Sequence, residues 1–180
     1  MSDVNPAENV VLVLVDWQER LFPAMPEGVR EENLRRAETL AWFCRELGIP
    51  VVASEQYPKG LGPTLPGLGV SDAIPKTSFS AMAEPAFAAR LQGLGKRHVL
   101  LSGMETHICV AQTCRDLREA DYPVWLMADA CLSRRKLDWK LSLQRMVVEG
   151  AQITTTETLI FDLLGTSSHP LFKQLSKRIK

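Results

Sequence analysis

The sequence predicts an α/β fold in which helices cover both faces of a mostly parallel sheet. Residues 9–16 form the continuous aliphatic run NVVLVLVD, which is typical of a strand buried on both faces. Strand-like runs then alternate with segments of helical periodicity, as in folds with a parallel sheet. Because the 180 residues contain no internal repeat, we expect a single domain over residues 1–180.

The first half of the chain predicts two strands and one long helix. After the strand at 9–16, apolar residues recur at helical spacing over 29–47, and a glycine and a proline follow. The run PVVAS at 50–54 predicts the second strand. Residues 55–73 include three prolines and four glycines, so we expect a long loop there. Structureless loops of this length are often functional.

The second half predicts three more strands separated by helices. In such a fold, ligands bind outside the carboxyl ends of the strands. Asp16 ends the first predicted strand, and Cys109 follows a later one. The predicted elements are a helix at 85–94, a strand at 97–103, a helix at 106–120, a strand at 123–129, a helix at 138–149, a strand at 153–156, and helices at 157–164 and 170–179.

Composition excludes several classes of function. The chain has 21 basic and 21 acidic residues, which gives no support to binding of nucleic acid or of a membrane surface. The aliphatic run at 10–15 is too short to cross a bilayer. The N-terminus lacks the basic region of a secretion signal, so we expect a cytoplasmic protein. No glycine-rich phosphate-binding motif is present, which disfavours a nucleotide, and we expect no cofactor.

Four cysteines are candidates for chemistry: Cys44, Cys109, Cys114 and Cys131. None has the spacing of a zinc site. Cys109 lies in the first turn of a predicted helix, where the helix dipole favours a thiolate. Cys44 and Cys114 are expected to pack in the core. Cys131 follows a predicted strand end and is the competing candidate. A redox pair of Cys109 with Cys114 is geometrically poor.

Asp16 is a better candidate than His107 for the base that activates Cys109. Residues two apart on a helix point in different directions, which argues against His107. Burial at the end of an aliphatic strand should raise the pKa of Asp16 and make it a proton acceptor, although a turn or a helix cap would also use an aspartate. Lys76 could balance that charge, or it could be a solvated loop lysine.

These residues resemble a known family. A strand ending in Asp16, a later Lys76, and Cys109 within LLSGMETHICV are similar, in that order, to the Asp–Lys–Cys triad of isochorismatase-like cysteine hydrolases. The stretches EQYPKGLGPT, KTSFS, ADACLSR and HPLFKQLSK resemble the subgroup of isochorismatase domain-containing proteins. The resemblance covers nearly the whole chain and implies a three-layer α/β/α sandwich with about six strands.

The resemblance also implies a mechanism. Asp16 would take the proton of Cys109, Lys76 would balance the charge, and the thiolate would attack an amide-like carbon to give an acyl-enzyme. An oxyanion hole would use the backbone N–H groups of Cys109 and of Glu105, which would follow a cis Met104–Glu105 bond. Metal-dependent relatives have histidines where this chain reads SEQYPKG, so we expect no catalytic metal. A homo-oligomer is also implied.

Four aromatic residues flank the triad in sequence and either line a small pocket or pack in the core or against another subunit. They are Trp17, Phe22, Tyr57 and Phe79.

The resulting hypothesis is a metal-independent cysteine hydrolase that cleaves a C–N bond of a small amide, carbamoyl or related substrate. The alternative is a catalytically quiet binding or assembly module that keeps a reactive thiol.

Overall fold

The computed structural model describes residues 6–179 and has six strands in one sheet. The strands pair in the order β3-β2-β1-β4-β5-β6, and every pairing among them is parallel. This confirms the predicted mostly parallel sheet. The strands are β1 Val10–Val15, β2 Val51–Gln56, β3 Ile74–Lys76, β4 His98–Met104, β5 Val124–Leu132 and β6 Gln152–Thr154.

Helices cover both faces of the sheet, which confirms the three-layer sandwich. One hydrophobic layer lies under α1, α6 and α7, and the other lies under α3, α4 and α5. Within the described residues, no helix is long and apolar enough to span a membrane. The helices are α1 Glu27–Glu46, α2 Pro58–Leu61, α3 Pro85–Gly93, α4 Ala111–Glu119, α5 Lys136–Val148, α6 Thr156–Leu164 and α7 Phe172–Arg178.

Strand β1 lies at the centre of the sheet, and every one of its residues is buried. Leu12 and Leu14 face the layer under α1, whereas Val11, Val13 and Val15 face the layer under α4. Successive side chains of a strand point to opposite faces, so a strand covered on both faces needs apolar residues at every position. This requirement explains the unbroken aliphatic run in the sequence.

The region predicted as a loop contains more regular structure than the sequence indicated. Strand β2 continues to Gln56, α2 follows it, and a 3₁₀ turn spans Pro66–Leu68. The edge strand β3 was not predicted, and Lys76 is its last residue rather than part of an irregular segment. β3 has three residues and contains Pro75, which sheets accept at an edge strand. A run this short carries no periodicity.

Strand β5 is longer than predicted and includes Cys131. The expectation that Cys131 follows a strand end was therefore wrong. The pairing of β5 with β4 shifts register between Leu101 and Gly103, and this irregularity lets β5 continue to Leu132. Cys131 is fully buried, which removes it as a competing nucleophile.

Gly103 brings the end of β4 close to the end of β1. A Cβ atom at this position would lie 2.4 Å from the carbonyl oxygen of Val15 and 2.7 Å from the Val15 Cβ. Backbone atoms cannot rotate away as a flexible side chain can, so a side chain here would force the two strands apart. The close approach sets the distance between Asp16, which follows β1, and the turn that follows β4.

Candidate active site

Asp16 and Lys76 form a fully buried ion pair at the carboxyl edge of the sheet. Asp16 Oδ2 lies 2.8 Å from Lys76 Nζ, and both side chains have no solvent exposure. Ser54 Oγ donates a hydrogen bond to Asp16 Oδ1 at 2.7 Å. Asp16 has a φ of 53°, in the left-handed region that aspartate tolerates better than most residues. This backbone conformation ends β1 and begins the turn that presents the carboxylate.

The Lys76 ammonium is surrounded by oxygen atoms. Besides Asp16, it donates to Gln56 Oε1 at 2.6 Å and to the carbonyl oxygens of Ser78 at 3.1 Å and Phe79 at 2.9 Å. A buried charge is costly unless it is paired and hydrogen-bonded, and here both conditions are met. The solvated-loop alternative for Lys76 is therefore wrong, because the side chain is enclosed and held in one position.

Cys109 lies beside this ion pair. It belongs to a π-helical turn, Thr106–Val110, that precedes α4, and such turns occur frequently at functional sites. Its thiol interacts with both Asp16 and Lys76, and its Sγ lies 4.0 Å from Gln56 Oε1. The residue is 6% exposed. The structure thus brings together three residues that are far apart in the sequence.

The resting form of this cluster contains a neutral thiol. Burial and, as the second cause, the Asp16 charge together raise the pKa of Cys109 to about 12, although Lys76 lowers it. Burial and the adjacent carboxylate thus act against the thiolate that the position of Cys109 in a first helical turn was expected to favour. Burial also raises the pKa of Asp16, against the lowering effect of Lys76, which makes this carboxylate a better proton acceptor.

Gln56 is a site residue that the sequence analysis missed. Its Oε1 atom accepts from Lys76 and lies near the Cys109 sulfur. Gln18 fixes Gln56, because Gln18 Oε1 accepts from the Gln56 N–H at 2.8 Å and Gln18 Nε2 donates to the Gln56 carbonyl at 3.0 Å. No motif in the sequence separates Gln56 from the other polar residues of segment 55–73.

His107 faces away from the thiol. Its Nδ1 atom lies 3.0 Å from Ser133 Oγ, in the connection between β5 and α5. The preceding Glu105 is buried, and its carboxylate accepts hydrogen bonds from Arg134. The Met104–Glu105 peptide bond is cis. The contacts of His107 and Glu105 place the segment 105–107 against the connection between β5 and α5.

The four flanking aromatic residues separate into two pairs. Trp17 is buried in the layer under α1, donates to Ser102 Oγ at 3.1 Å, and packs beside Phe22 at 6.5 Å between ring centroids. Tyr57 and Phe79 are more than half exposed. The backbones of both contact Lys76: Tyr57 N–H donates to the Lys76 carbonyl at 2.9 Å, and Phe79 supplies a carbonyl to Nζ. Tyr57 and Phe79 thus combine side chains that are more than half exposed with backbone contacts to Lys76.

Two cavities of about 470 and 510 Å³ lie elsewhere on the molecule. They share Arg36, Asp129 and Thr155 as lining residues, and neither is lined by a residue of the triad. The space at Cys109 is therefore part of neither cavity. In the part of the chain that the structure describes, no group of three or more His, Cys, Asp or Glu side chains could hold a metal ion.

Comparisons with known proteins identify relatives along the whole chain. The isochorismatase domain matches residues 10–158. The chain is 39% identical over 183 residues to isochorismatase domain-containing protein 1 of Salmo salar, which covers 100% of this chain and 64% of that protein. It is 43% identical to isochorismatase domain-containing protein 2 of Bos taurus over 94% of this chain and 82% of that protein. The chain thus spans less than two thirds of the salmon protein.

Solved structures share the fold along nearly the whole chain. A Caenorhabditis elegans protein named MAR1 ribonuclease superposes with a TM-score of 0.86 at 37% identity, over 98% of this chain and 91% of that one. YcaC of Escherichia coli, described as an octameric hydrolase of unknown specificity, superposes with a TM-score of 0.89 over 96% of this chain and 88% of that one. Its identity is 18%, so this likeness concerns the fold alone.

Proposed function

Because the chain belongs to the isochorismatase family, we propose that it is a metal-independent cysteine hydrolase that cleaves a C–N bond in a small amide, carbamoyl or related substrate. The observation that carries this proposal is the fully buried Asp16–Lys76 pair at 2.8 Å beside the Cys109 thiol. A buried ion pair often stabilises a fold no more than apolar residues of similar volume would, whereas perturbed ionisable groups cluster at functional sites.

The first step is proton transfer from Cys109 to Asp16. In the resting cluster, the charges of Asp16 and Lys76 balance each other and the thiol is neutral. Once the carboxylate has taken the proton, the thiolate is next to Lys76 and a neutral carboxylic acid. The total charge of the cluster does not change. The raised pKa of Asp16 brings donor and acceptor closer in proton affinity and lowers the cost of this transfer.

The second step is attack of the thiolate on the substrate carbonyl carbon. The S–C bond forms as the C=O π electrons move to oxygen, which becomes an oxyanion. The backbone N–H groups of Cys109 and Glu105 stabilise this oxyanion, and one such donor is typically worth about 2.7–4 kcal/mol in rate. Collapse of the adduct breaks the C–N bond, and the leaving nitrogen takes the proton held by Asp16.

The third step hydrolyses the resulting thioester. Asp16 accepts a proton from water, and the hydroxide attacks the thioester carbon. The S–C bond then breaks, the acid product leaves, and Asp16 returns the proton to the Cys109 sulfur. The 6% exposure of Cys109 favours substrates with a small group beyond the reacting carbon. Tyr57 and Phe79 are the aromatic side chains available to contact such a group.

The proposal includes the organisation of the protein. We place residues 1–180 in a single domain that acts in the cytoplasm as a homo-oligomer without a cofactor, nucleic acid or membrane. The exposed apolar residues Leu137, Leu141 and Val148 on α5 supply a surface for assembly, and the octamer of YcaC offers a precedent on this fold. Light scattering coupled to gel filtration would test the assembly.

The nucleophile is tested by labelling with iodoacetamide. Wild-type protein should acquire one carboxamidomethyl group on Cys109, and Cys109→Ala should acquire none under the same conditions. Cys114→Ala is the matched control and should behave like wild type, because Cys114 is fully buried in α4. Equal labelling of wild type and Cys109→Ala would refute the assignment.

Turnover is tested by a screen of small amides, ureas and carbamoyl compounds with ammonia release as the readout. The hydrolase proposal expects at least one substrate whose turnover disappears in Cys109→Ala. An RNA substrate is tested alongside, with strand cleavage on a denaturing gel as the readout, because the C. elegans relative is named a ribonuclease. A labelled Cys109 with no turnover of any compound would instead support the binding or assembly module.

A further inference from the structure

The segment that follows the cis peptide bond is tied to the β5–α5 connection by three consecutive residues. Glu105, Thr106 and His107 each contact one residue of the stretch Leu132, Ser133 and Arg134. We call these contacts the clamp. Arg134 donates to Glu105 Oε2 from its backbone N–H at 3.2 Å and from Nε at 2.9 Å. Thr106 Oγ1 donates to the Leu132 carbonyl oxygen at 2.8 Å, and His107 Nδ1 lies 3.0 Å from Ser133 Oγ.

We propose that the clamp positions the backbone N–H donors of the oxyanion hole and that Arg134 is its principal positioning residue. The inference rests on the proposed cysteine hydrolase function and adds to it. Donors for an oxyanion must be aimed before the reaction, because their value comes from not having to reorganise. The clamp fixes the peptide that carries the Glu105 N–H, and it lies at the start of the turn that carries Cys109.

The geometry of Arg134 distinguishes it from an ordinary surface arginine. Its side chain is 58% exposed, whereas the carboxylate that it contacts is 7% exposed. Its main chain and its guanidinium both donate to the same oxygen of Glu105. A buried carboxylate that loses its cation is costly to keep in place. We therefore expect Glu105 to leave its position when the guanidinium is removed, and its peptide to move with it.

The remaining contacts hold the same segment without involving Arg134. Ser142 of α5 donates to the Thr106 carbonyl at 3.0 Å, and Thr106 is fully buried. Thr106 and His107 therefore keep their connections in a variant of Arg134. We expect such a variant to retain the fold and the position of the Cys109 sulfur, while the Glu105 peptide becomes mobile.

Two reagents separate the thiol from the oxyanion donors. Alkylation by iodoacetamide forms an S–CH₂ bond and expels iodide, so no charge develops on a carbonyl oxygen. Addition of benzaldehyde forms an S–C bond, opens the C=O bond, and transfers the thiol proton by way of Asp16 to the new oxygen. Both reagents carry a carbonyl oxygen, but only the second reaction converts it into the oxygen of a tetrahedral adduct, which the donors are proposed to hold. The extent of hemithioacetal formation relative to the rate of alkylation therefore measures the effect of the oxyanion donors, and no known substrate is required.

The experiment compares wild type, Arg134→Ala, Arg134→Lys and Arg135→Ala. Benzaldehyde labelled with ¹³C at the carbonyl carbon reports hemithioacetal formation by NMR, and mass spectrometry reports the alkylation rate of Cys109. We expect Arg134→Ala to lower the equilibrium constant of hemithioacetal formation by about tenfold, which is less than the 10²–10³-fold loss in rate caused by removing a whole donor. The alkylation rate of Cys109 should change by less than about twofold. Arg134→Lys should recover most of the loss.

Arg135→Ala is the matched control, because Arg135 is the exposed neighbour and should give wild-type values in both assays. Equal hemithioacetal formation in Arg134→Ala and wild type would overturn the clamp and leave the proposed function intact. Alkylation of wild-type Cys109 without any hemithioacetal would overturn the donor arrangement itself. Absence of alkylation at Cys109 in wild type would instead overturn the proposed function. Thermal unfolding of each variant identifies any general loss of structure.

Discussion

Replacement of Asp16 by asparagine should make Cys109 easier to ionise while it greatly lowers turnover. The substitution keeps the shape of the side chain and an oxygen that can accept from Lys76, but it removes both the negative charge and the proton acceptor. Asp16 raises the pKa of Cys109, and Lys76 lowers it. Without the carboxylate charge, Lys76 acts on the thiol unopposed, so the thiolate should appear at a lower pH.

The size of the effect can be estimated from the free energy that ionisation of Cys109 requires in the wild-type protein. A pKa raised from 9.0 to about 12 corresponds to about 4 kcal/mol of added free energy for ionisation. Burial is the largest cause, and the Asp16 charge is the second. A neighbouring charge typically shifts an ionisation by about 1–3 pH units. We expect Asp16→Asn to move the ionisation of Cys109 downward by an amount in that range.

The measurement is the rate of Cys109 alkylation by iodoacetamide as a function of pH. Asp72→Asn is the matched control, because Asp72 is an exposed aspartate paired with Arg90 and should leave the profile unchanged. Turnover of a substrate from the amide screen should fall by about 10²–10⁴ in Asp16→Asn, which is typical of the loss of a general base. The variant would thus have a more acidic thiol and less activity.

Two results would contradict this reasoning. A profile that moves to higher pH, or that does not move, would mean that the Asp16 charge does not act on the thiol as the structure indicates. Turnover that persists near the wild-type rate would mean that another group takes the proton. The two readouts fail independently, so the electrostatic effect of Asp16 and its role as a base are tested separately.

Two further predictions concern stability. Lys76→Met should lower the free energy of unfolding, measured by chemical denaturation, by about 3–5 kcal/mol. This loss of stability should grow as pH rises, because Asp16 without Lys76 has a still higher folded-state pKa and resists ionisation above its unfolded value of 3.8. A loss that grows on acidification would contradict this. Gly103→Ala should lower the free energy of unfolding, measured by thermal denaturation, by about 1–3 kcal/mol, because the new Cβ would lie 2.4 Å from the Val15 carbonyl oxygen. Gly28→Ala is the control: its new Cβ would have no atom within 4 Å, so it should be neutral or stabilising by up to about 1 kcal/mol.

Long, periodic elements could be predicted from the sequence, and short ones could not. The central strand β1 was predicted because a strand buried on both faces requires an unbroken aliphatic run. The edge strand β3 was missed, since three residues including a proline carry no periodic signal. The extension of β5 through Cys131 depends on a register shift against β4, and such a shift is a property of two paired strands rather than of either sequence.

Some residues of the candidate site could likewise be predicted from the sequence, and others could not. Asp16 and Cys109 could be proposed because each follows a predicted strand, and such strand ends meet at one edge of a parallel sheet. Gln56 and Arg134 were not proposed, because their importance comes from contacts with Lys76 and Glu105 across the fold. The burial of Trp17 and the exposure of Tyr57 were equally open, since aromatic residues occupy both environments.

The sequence alone determined the order of the longer strands and helices, the family, and the position of Asp16 and Cys109 at the carboxyl edge of the sheet, because these follow from local patterns along the chain. The tertiary structure decided the ionisation state of Cys109 and the partners of Lys76. The fully buried contact between Asp16 and Lys76 joins residues 60 positions apart at 2.8 Å. Hydrogen bonds act only at such distances, and burial strengthens electrostatic interactions, so these properties exist only once the chain is folded.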